Sequence, residues 1–137
     1  EDFATTPLLF DKAERIAHTG DVLYHYRRDN DTSIMHSAFN KNRLVLYTVS
    51  DTVDEFLREH YPHLLKYART RRTRYSITFF KEAAQCDTHD RETEKQLVKN
   101  VRQGIFPYLF SCYNLTSKAY GLLIAVCPPL AARLFKG

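Results

Sequence analysis

The residues in this chain that are best suited to bind a metal or act as a nucleophile are six histidines and three cysteines. Two of the histidines, His60 and His63, are three residues apart and could share one face of a helix. Pro62 lies between them and no HExxH motif is present, so a solvent-exposed helix surface explains the pair better than a metal site. The cysteines form no CxxC, which leaves zinc and dithiol chemistry without support and favours free thiols in a reducing compartment. The two sets are His18, His25, His36, His60, His63 and His89, and Cys86, Cys112 and Cys127.

A further candidate is the stretch Arg74 to Phe80, which reads RYSITFF. It resembles the final strand of 2-oxoglutarate-dependent oxygenases, in which an arginine binds the co-substrate carboxylate. That chemistry also needs an iron site of two histidines and one carboxylate, yet no histidine begins an HxD or HxE motif. The phosphate-binding and nucleophile motifs GxxxxGK[ST], GxGxxG and GxSxG are absent as well. We therefore predict no catalytic activity, cofactor, metal or small-molecule substrate, with an oxygenase or redox protein as the least favoured alternative.

Length and composition indicate one globular domain. The chain has 137 residues, of which 44% are hydrophobic and 26% charged. Its formal charge of +4 permits contact with RNA, anionic lipid or an acidic partner and requires none of them. A start at Glu1 fits either a processed chain that has lost an organellar presequence or a fragment.

The elements that would position these residues centre on Arg43 to Phe80. Leu44 to Val49 is a short apolar run of strand-like composition, and Tyr75 to Phe80 has the same character. Between them, Thr52 opens a capping box, TVDE, and apolar residues follow at helical spacing as far as Ala68. Pro62 falls inside this helix, where we expect a kink. Strand, helix and strand together predict a right-handed βαβ unit with parallel strands.

This unit resembles the thioredoxin-like family shared by a small accessory subunit of mitochondrial complex I and several mitochondrial ribosomal proteins. The matching features are the strand LVLY from Leu44, the turn that contains Ser50, the helix segment VDEFL from Val53, and the strand from Tyr75. The resemblance implies a thioredoxin-like α/β fold over about residues 40–105, without dithiol activity, because the turn reads TVSD where thioredoxins carry CxxC. We therefore expect an N-terminal extension at 1–40, a thioredoxin-like domain at 41–113 and an apolar extension at 114–137.

Four arginines are the best candidates for binding something acidic. Arg69 falls at the expected helix end, where a cation favours the helix dipole. Three more follow in the predicted loop, which is more than capping needs. The predicted partner- or phosphate-binding residues are Arg69, Arg71, Arg72 and Arg74.

A polar helix follows, with acidic residues early, basic residues late, an apolar stripe from Leu97 to Ile105, and Gly104 as its expected end. The last third of the chain is different, because aromatic and aliphatic residues dominate it. Its uncharged stretches are shorter than the roughly 17–25 residues that a spanning helix needs. Core completion explains part of this composition, but we favour a tail that packs into neighbouring subunits. The predicted assembly interface comprises Tyr120, Leu122, Leu123, Ile124, Leu130, Leu134 and Phe135.

Together, these expectations predict that the chain is a non-catalytic accessory subunit of a large respiratory assembly, on the matrix side of the mitochondrial inner membrane. Its partners would be other subunits of that complex, with anionic lipid as a further contact of the arginines. The alternative is a mitochondrial ribosomal protein in which the same arginines contact rRNA phosphates.

Overall fold

The computed structural model describes residues 2–22, 24, 39–86 and 90–136. Within these ranges the chain is helical and contains no strand. Two short 3₁₀ turns, at Lys41–Leu44 and Pro62–Leu64, precede the second and third α-helices. The α-helices are α1 (Asp2–Lys12), α2 (Val45–His60), α3 (Leu65–Gln85), α4 (Arg91–Leu109), α5 (Leu115–Val126) and α6 (Pro128–Lys136).

Helix α3 is the centre of the bundle, because it contacts α2, α4, α5 and α6. Its residues Ile77, Phe79 and Phe80 are buried. Helix α4 supplies the opposite wall of the core with Leu97 and Val101, both fully buried, and with Tyr108. The core therefore lies mainly between these two helices and is closed by the last two.

The prediction of a thioredoxin-like βαβ unit is wrong. Leu44 to Val49 spans the end of a 3₁₀ turn and the start of α2, and Tyr75 to Phe80 lies inside α3. Thr52 caps nothing, since it lies in the middle of α2 and its hydroxyl donates to the carbonyl of Thr48 at 3.3 Å. Both stretches have the β-branched and aromatic composition of strands, and packing against neighbouring helices overrides that preference.

The expected kink at Pro62 is a break. Helix α2 ends at His60, and α3 begins at Leu65 after the 3₁₀ turn that Pro62 opens. Proline suits the first position of a helical turn, where its missing N–H would have no partner.

The predicted polar helix is confirmed as α4, and its apolar stripe is buried at Leu97, Val98 and Val101. The side chain of Asp90 begins it by accepting a hydrogen bond from the N–H of Glu92 at 3.2 Å. The prediction that Gly104 ends the helix is wrong, because α4 continues to Leu109. A Cβ atom at position 104 would lie 1.9 Å from Thr73 Oγ1, so glycine lets α3 and α4 approach closely.

Helices α5 and α6 complete the core instead of leaving it. Ile124 of α5 and Ala131 and Phe135 of α6 are buried, and both helices contact α3. Helix α5 begins at Asn114, whose side chain accepts the N–H of Ser117 at 2.8 Å. Residues 114–136 therefore belong to the same packed unit as α3 and α4. No described helix is both long enough and apolar enough to qualify as a membrane span.

Candidate docking face and apolar groove

The four predicted arginines lie in the first half of α3, not in a loop. At about 100° per residue, positions 69 and 72 share one side of a helix and positions 71 and 74 share the opposite side. The contacts agree with this division. Arg72 pairs with Asp51 of α2 and lies over the ring of Tyr47, 5.0 Å from its centroid.

On the other side of α3, Arg74 reaches the last part of the chain. Its guanidinium donates to Ser117 Oγ of α5 at 3.1 Å and lies 5.9 Å from the ring centroid of Tyr113. Arg69 is exposed, and its carbonyl accepts a hydrogen bond from the hydroxyl of Thr73 at 3.1 Å. The arginines therefore form no single patch, and two of them join α3 to its neighbours.

The structure divides the predicted assembly interface between core and surface. Ile124 and Phe135 are buried, whereas Tyr120 and Leu123 are partly buried. The three remaining residues are exposed: Leu122, Leu130 and Leu134. Within this set, the two core residues stabilise the fold and the three exposed leucines are accessible to a partner.

Four further large apolar side chains are exposed nearby, and the sequence analysis missed them. They are Phe106, Phe110, Leu115 and Val126. In this set of four and the three leucines together, exposure ranges from 47% for Leu122 to 83% for Leu115. We call these seven residues the docking face. A four-residue spacing, as in Phe106 and Phe110 or Leu130 and Leu134, was the signal in the sequence that could have identified it.

The members of the docking face lie on helices that pack against one another, α4 against α5 and α5 against α6. Arg102 Nε of α4 donates to the carbonyl of Ala125 at 2.8 Å, and the hydroxyls of Tyr108 and Ser117 lie 2.5 Å apart. The two helices therefore run antiparallel. Arg102, in the middle of α4, lies beside the C-terminal end of α5, and Tyr108, near the end of α4, lies beside the first turn of α5. At the C-terminal end of α4, the ring centroids of Phe106 and Phe110 are 5.3 Å apart and the ring planes are tilted by 59°.

The charged residues of α5 and α6 are all basic. The sequence contains no Asp or Glu after Glu94, whereas Lys118, Arg133 and Lys136 lie in α5 and α6. Lys118 Nζ donates to the carbonyl of Ser111 at 2.7 Å, so it is engaged within the fold. Arg133 and Lys136 are exposed.

A second candidate site is an apolar groove of about 680 Å³ between α1, α2 and α3. None of the described residues of α1 is buried, so this helix spans the groove without filling it. At one end, the ring of Phe3 packs 4.1 Å from the guanidinium of Arg71 and 6.2 Å from the ring of Tyr75. At the other end, the hydroxyl of Tyr61 donates to Asp11 at 2.7 Å. We call this cavity the α1 groove.

The hydrogen bond between Tyr61 and Asp11 changes the acidity of both groups. Chiefly by stabilising the carboxylate, it lowers the pKa of Asp11 below its ordinary value, and Lys12 adds to this effect. The same carboxylate raises the pKa of Tyr61 above its ordinary value. Both groups are therefore held in their neutral-pH states, a carboxylate and a phenol.

The three histidines within the described ranges, His18, His60 and His63, form no metal-binding group. His60 ends α2 and stacks on Phe56 with ring centroids 4.8 Å apart, whereas His63 lies in the following 3₁₀ turn. His25, His36 and His89 lie outside the described residues. Among the residues that are described, no three His, Cys, Asp or Glu side chains are grouped so that they could hold a metal ion.

No family model, curated protein or solved structure matches the chain.

Proposed function

We propose that this chain is a non-catalytic assembly module, in which the docking face of α4, α5 and α6 binds an apolar surface of another protein. The observation that carries the proposal is the exposure of seven large apolar side chains on three consecutive helices. Large apolar surface patches are uncommon on monomeric proteins and mark interaction sites. Two of the seven are phenylalanines, a residue type enriched at interfaces.

The basic charges on α5 and α6 favour a different protein over a second copy of the chain. In a two-fold dimer the same face would meet itself, so the basic residues of α5 and α6 would face those of the other copy. Like charges brought together at an interface oppose association. A partner with an apolar centre and acidic residues at its rim would instead match the docking face.

A membrane surface is a weaker candidate. Attraction to anionic lipid generally requires clusters of about 4–8 basic residues. Helices α5 and α6 offer Lys118, Arg133 and Lys136, and the first of these is already engaged with Ser111. The basic residues of α4 beside Pro128, which include Lys95, Lys99 and Arg102, are accompanied by Glu94. The apolar side chains must therefore provide most of the binding, as they do in protein interfaces.

The role of an assembly subunit agrees with the function predicted from the sequence, but its location stays a prediction. A mitochondrial respiratory complex was expected from the resemblance to thioredoxin-like proteins, and the helical fold removes that support. The ribosomal alternative also stays a prediction, and the separation of its arginines onto opposite sides of α3 weakens it.

The test is site-specific photo-crosslinking in cells that express the full chain. A photoreactive residue, p-benzoylphenylalanine, replaces Phe110 on the docking face or, as a matched control, Val45, which is 63% exposed at the start of α2. We expect one dominant crosslinked protein from position 110, absent from position 45. Phe106→Gln should reduce its yield at least tenfold without changing the melting temperature of the purified chain by more than a few degrees.

Three results would overturn the proposal. Equal crosslinking from both positions would mean that the docking face is not selective. A product that is a second copy of the chain would contradict the argument from charge. Binding of the purified chain to anionic phosphatidylserine vesicles, lost in the Phe106→Gln variant, would make the partner a membrane.

A further inference from the structure

We propose that the α1 groove binds a free long-chain carboxylate, with its alkyl chain between α1 and α2 and its carboxylate on Arg71. This site shares no residue with the docking face, so it is independent of the function proposed above. Two observations carry it: the size and apolar lining of the groove, and the placement of one available guanidinium at its end.

The lining of the groove is suited to an alkyl chain. Helix α2 contributes Val53, Phe56 and Leu57, α3 contributes Ala68, and the turn between them contributes Leu64. Helix α1 covers these residues with Phe3, Pro7 and Phe10. Clefts of roughly 300–1,000 Å³ with apolar walls and a few polar groups are typical sites for small ligands.

The position of α1 favours an unbranched chain over a docked helix as the occupant, because α1 already lines the groove with Phe3, Pro7 and Phe10. Recognition of an amphipathic helix uses contacts spread over at least two turns. With α1 already lying across the opening, an unbranched chain fits this space better than a peptide.

Arg71 supplies the complementary charge. Its Nε donates to the hydroxyl of Tyr75 at 2.7 Å, and its guanidinium lies 4.1 Å from the ring centroid of Phe3 and 5.5 Å from that of Tyr75. Within the described residues no carboxylate is in ion-pair range of Arg71. Its two terminal nitrogens can therefore donate to both oxygens of one carboxylate, the geometry that arginine favours.

Two acidic residues also line the groove, and their positions determine where an anionic headgroup can bind. Asp11 is already engaged by Tyr61 and Lys12, and its side chain is 15% exposed. Asp2 is exposed in the first turn of α1 and opposes an anion at the mouth. We therefore expect Asp2→Asn to tighten binding two- to fivefold, and weaker binding by this variant would contradict the assignment of the headgroup to the Arg71 end.

The experiment is isothermal titration of the full chain with laurate below its micelle concentration. Dodecanol serves as the uncharged probe and dodecyltrimethylammonium as the cationic one. We expect one laurate per chain, with at least tenfold weaker binding of both other probes. Arg71→Gln should weaken laurate at least tenfold, whereas Arg69→Gln, two residues away on the same helix and outside the groove, should leave it unchanged.

A second variant separates loss of the headgroup contact from loss of the fold. Ala68→Phe fills the groove and leaves Arg71 in place, and we expect it to abolish laurate binding without unfolding the chain. The proposal is overturned if laurate binds Ala68→Phe as well as the wild type, if dodecyltrimethylammonium binds more tightly than laurate, or if wild-type protein takes up no laurate.

Discussion

At the scale of single residues, the most informative feature is a row of hydroxyl side chains on the inward side of α3. Thr70, Thr73 and Ser76 are buried, and each donates to the carbonyl four residues earlier, at 2.7, 3.1 and 2.9 Å. Such bonds satisfy a hydroxyl within its own helix, so it can face the core without a partner on another helix. The hydroxyl of Ser76 also lies 2.7 Å from the hydroxyl of Tyr47 on α2. Small side chains on this side also allow α4 to lie close to α3.

The close approach at Gly104 gives the first prediction. In Gly104→Ala, the new Cβ would lie 1.9 Å from Thr73 Oγ1, so the two helices must move apart. We expect a loss of about 1–3 kcal/mol in the free energy of unfolding, measured by urea denaturation, as for other overpacked cores. Adding Thr73→Ala removes the clashing oxygen and should recover more than half of that loss.

Gly20→Ala is the control for this prediction, because no atom lies within 4 Å of a Cβ at that position. Its free energy of unfolding should stay within about 0.5 kcal/mol of the wild type. If Gly104→Ala were equally neutral, the close contact between α3 and α4 would not exist in solution.

The bond between Tyr61 and Asp11 gives the second prediction, which concerns pH. Because the pKa of Asp11 is lowered in the fold, its contribution to holding α1 is complete above its ordinary value of 3.8 and is lost as pH falls further. Because the pKa of Tyr61 is raised, the contribution of the phenol is complete below its ordinary value of 10.0 and is lost at higher pH. The protection factors of the α1 amides, which correct for the intrinsic pH dependence of hydrogen exchange, should therefore fall outside this window.

Tyr61→Phe should remove this dependence. Its α1 amides should exchange faster than those of the wild type at neutral pH, while the amides of α4 stay unchanged. An α1 that is equally protected in both proteins would mean that the bond does not hold the helix.

At the scale of helices, α1 contributes much less to the stability of the fold than α5 and α6 do. None of the described residues of α1 is buried, whereas α5 and α6 contribute Ile124, Ala131 and Phe135 to the core. A segment that supplies core residues cannot be removed without exposing apolar surface on its neighbours. The two ends of the chain therefore differ in how far the fold depends on them.

Two truncations test this difference. Removal of residues 118–137 should abolish cooperative thermal unfolding, because it exposes Ile77, Phe80 and Val101 of the core. Removal of residues 1–12 should leave a cooperative transition, followed by circular dichroism at 222 nm. If the C-terminal truncation still unfolds cooperatively, α5 and α6 are an extension and not part of the core.

The same helices show what the sequence could and could not predict. Helix α4 was recognisable, because Asp90 marks its start and its apolar stripe is continuous from Leu97 to Val101. Helix α3 was not, because Thr70, Thr73 and Ser76 interrupt its inward stripe and leave Tyr75 to Phe80 with the composition of a strand. The docking face was half visible, since its leucines stood out, whereas Phe106 and Phe110 follow Gly104, the expected end of the polar helix, and were not included in the predicted interface.

At the scale of the whole molecule, the protection of backbone amides from hydrogen exchange should decrease with distance from the contact between α3 and α4. These helices carry most of the fully buried side chains, among them Phe80, Leu97 and Tyr108. Native-state hydrogen exchange should therefore find the slowest amides in the middle of α3 and α4, intermediate ones in α5 and α6, and the fastest in α1. An α1 as slow as α3 would contradict this order and the open groove beneath it.

The pairing of Thr73 with Gly104 has a consequence for finding relatives of this chain. The two positions share one small volume, so a side chain at position 104 must be matched by a smaller residue than threonine at position 73. Sequences that have diverged beyond ordinary similarity should still show this compensation, together with a hydroxyl or alanine at position 76 and a small residue at position 121. Compensating change at positions 73 and 104, with small residues kept at 76 and 121, is the signature by which distant members could be recognised.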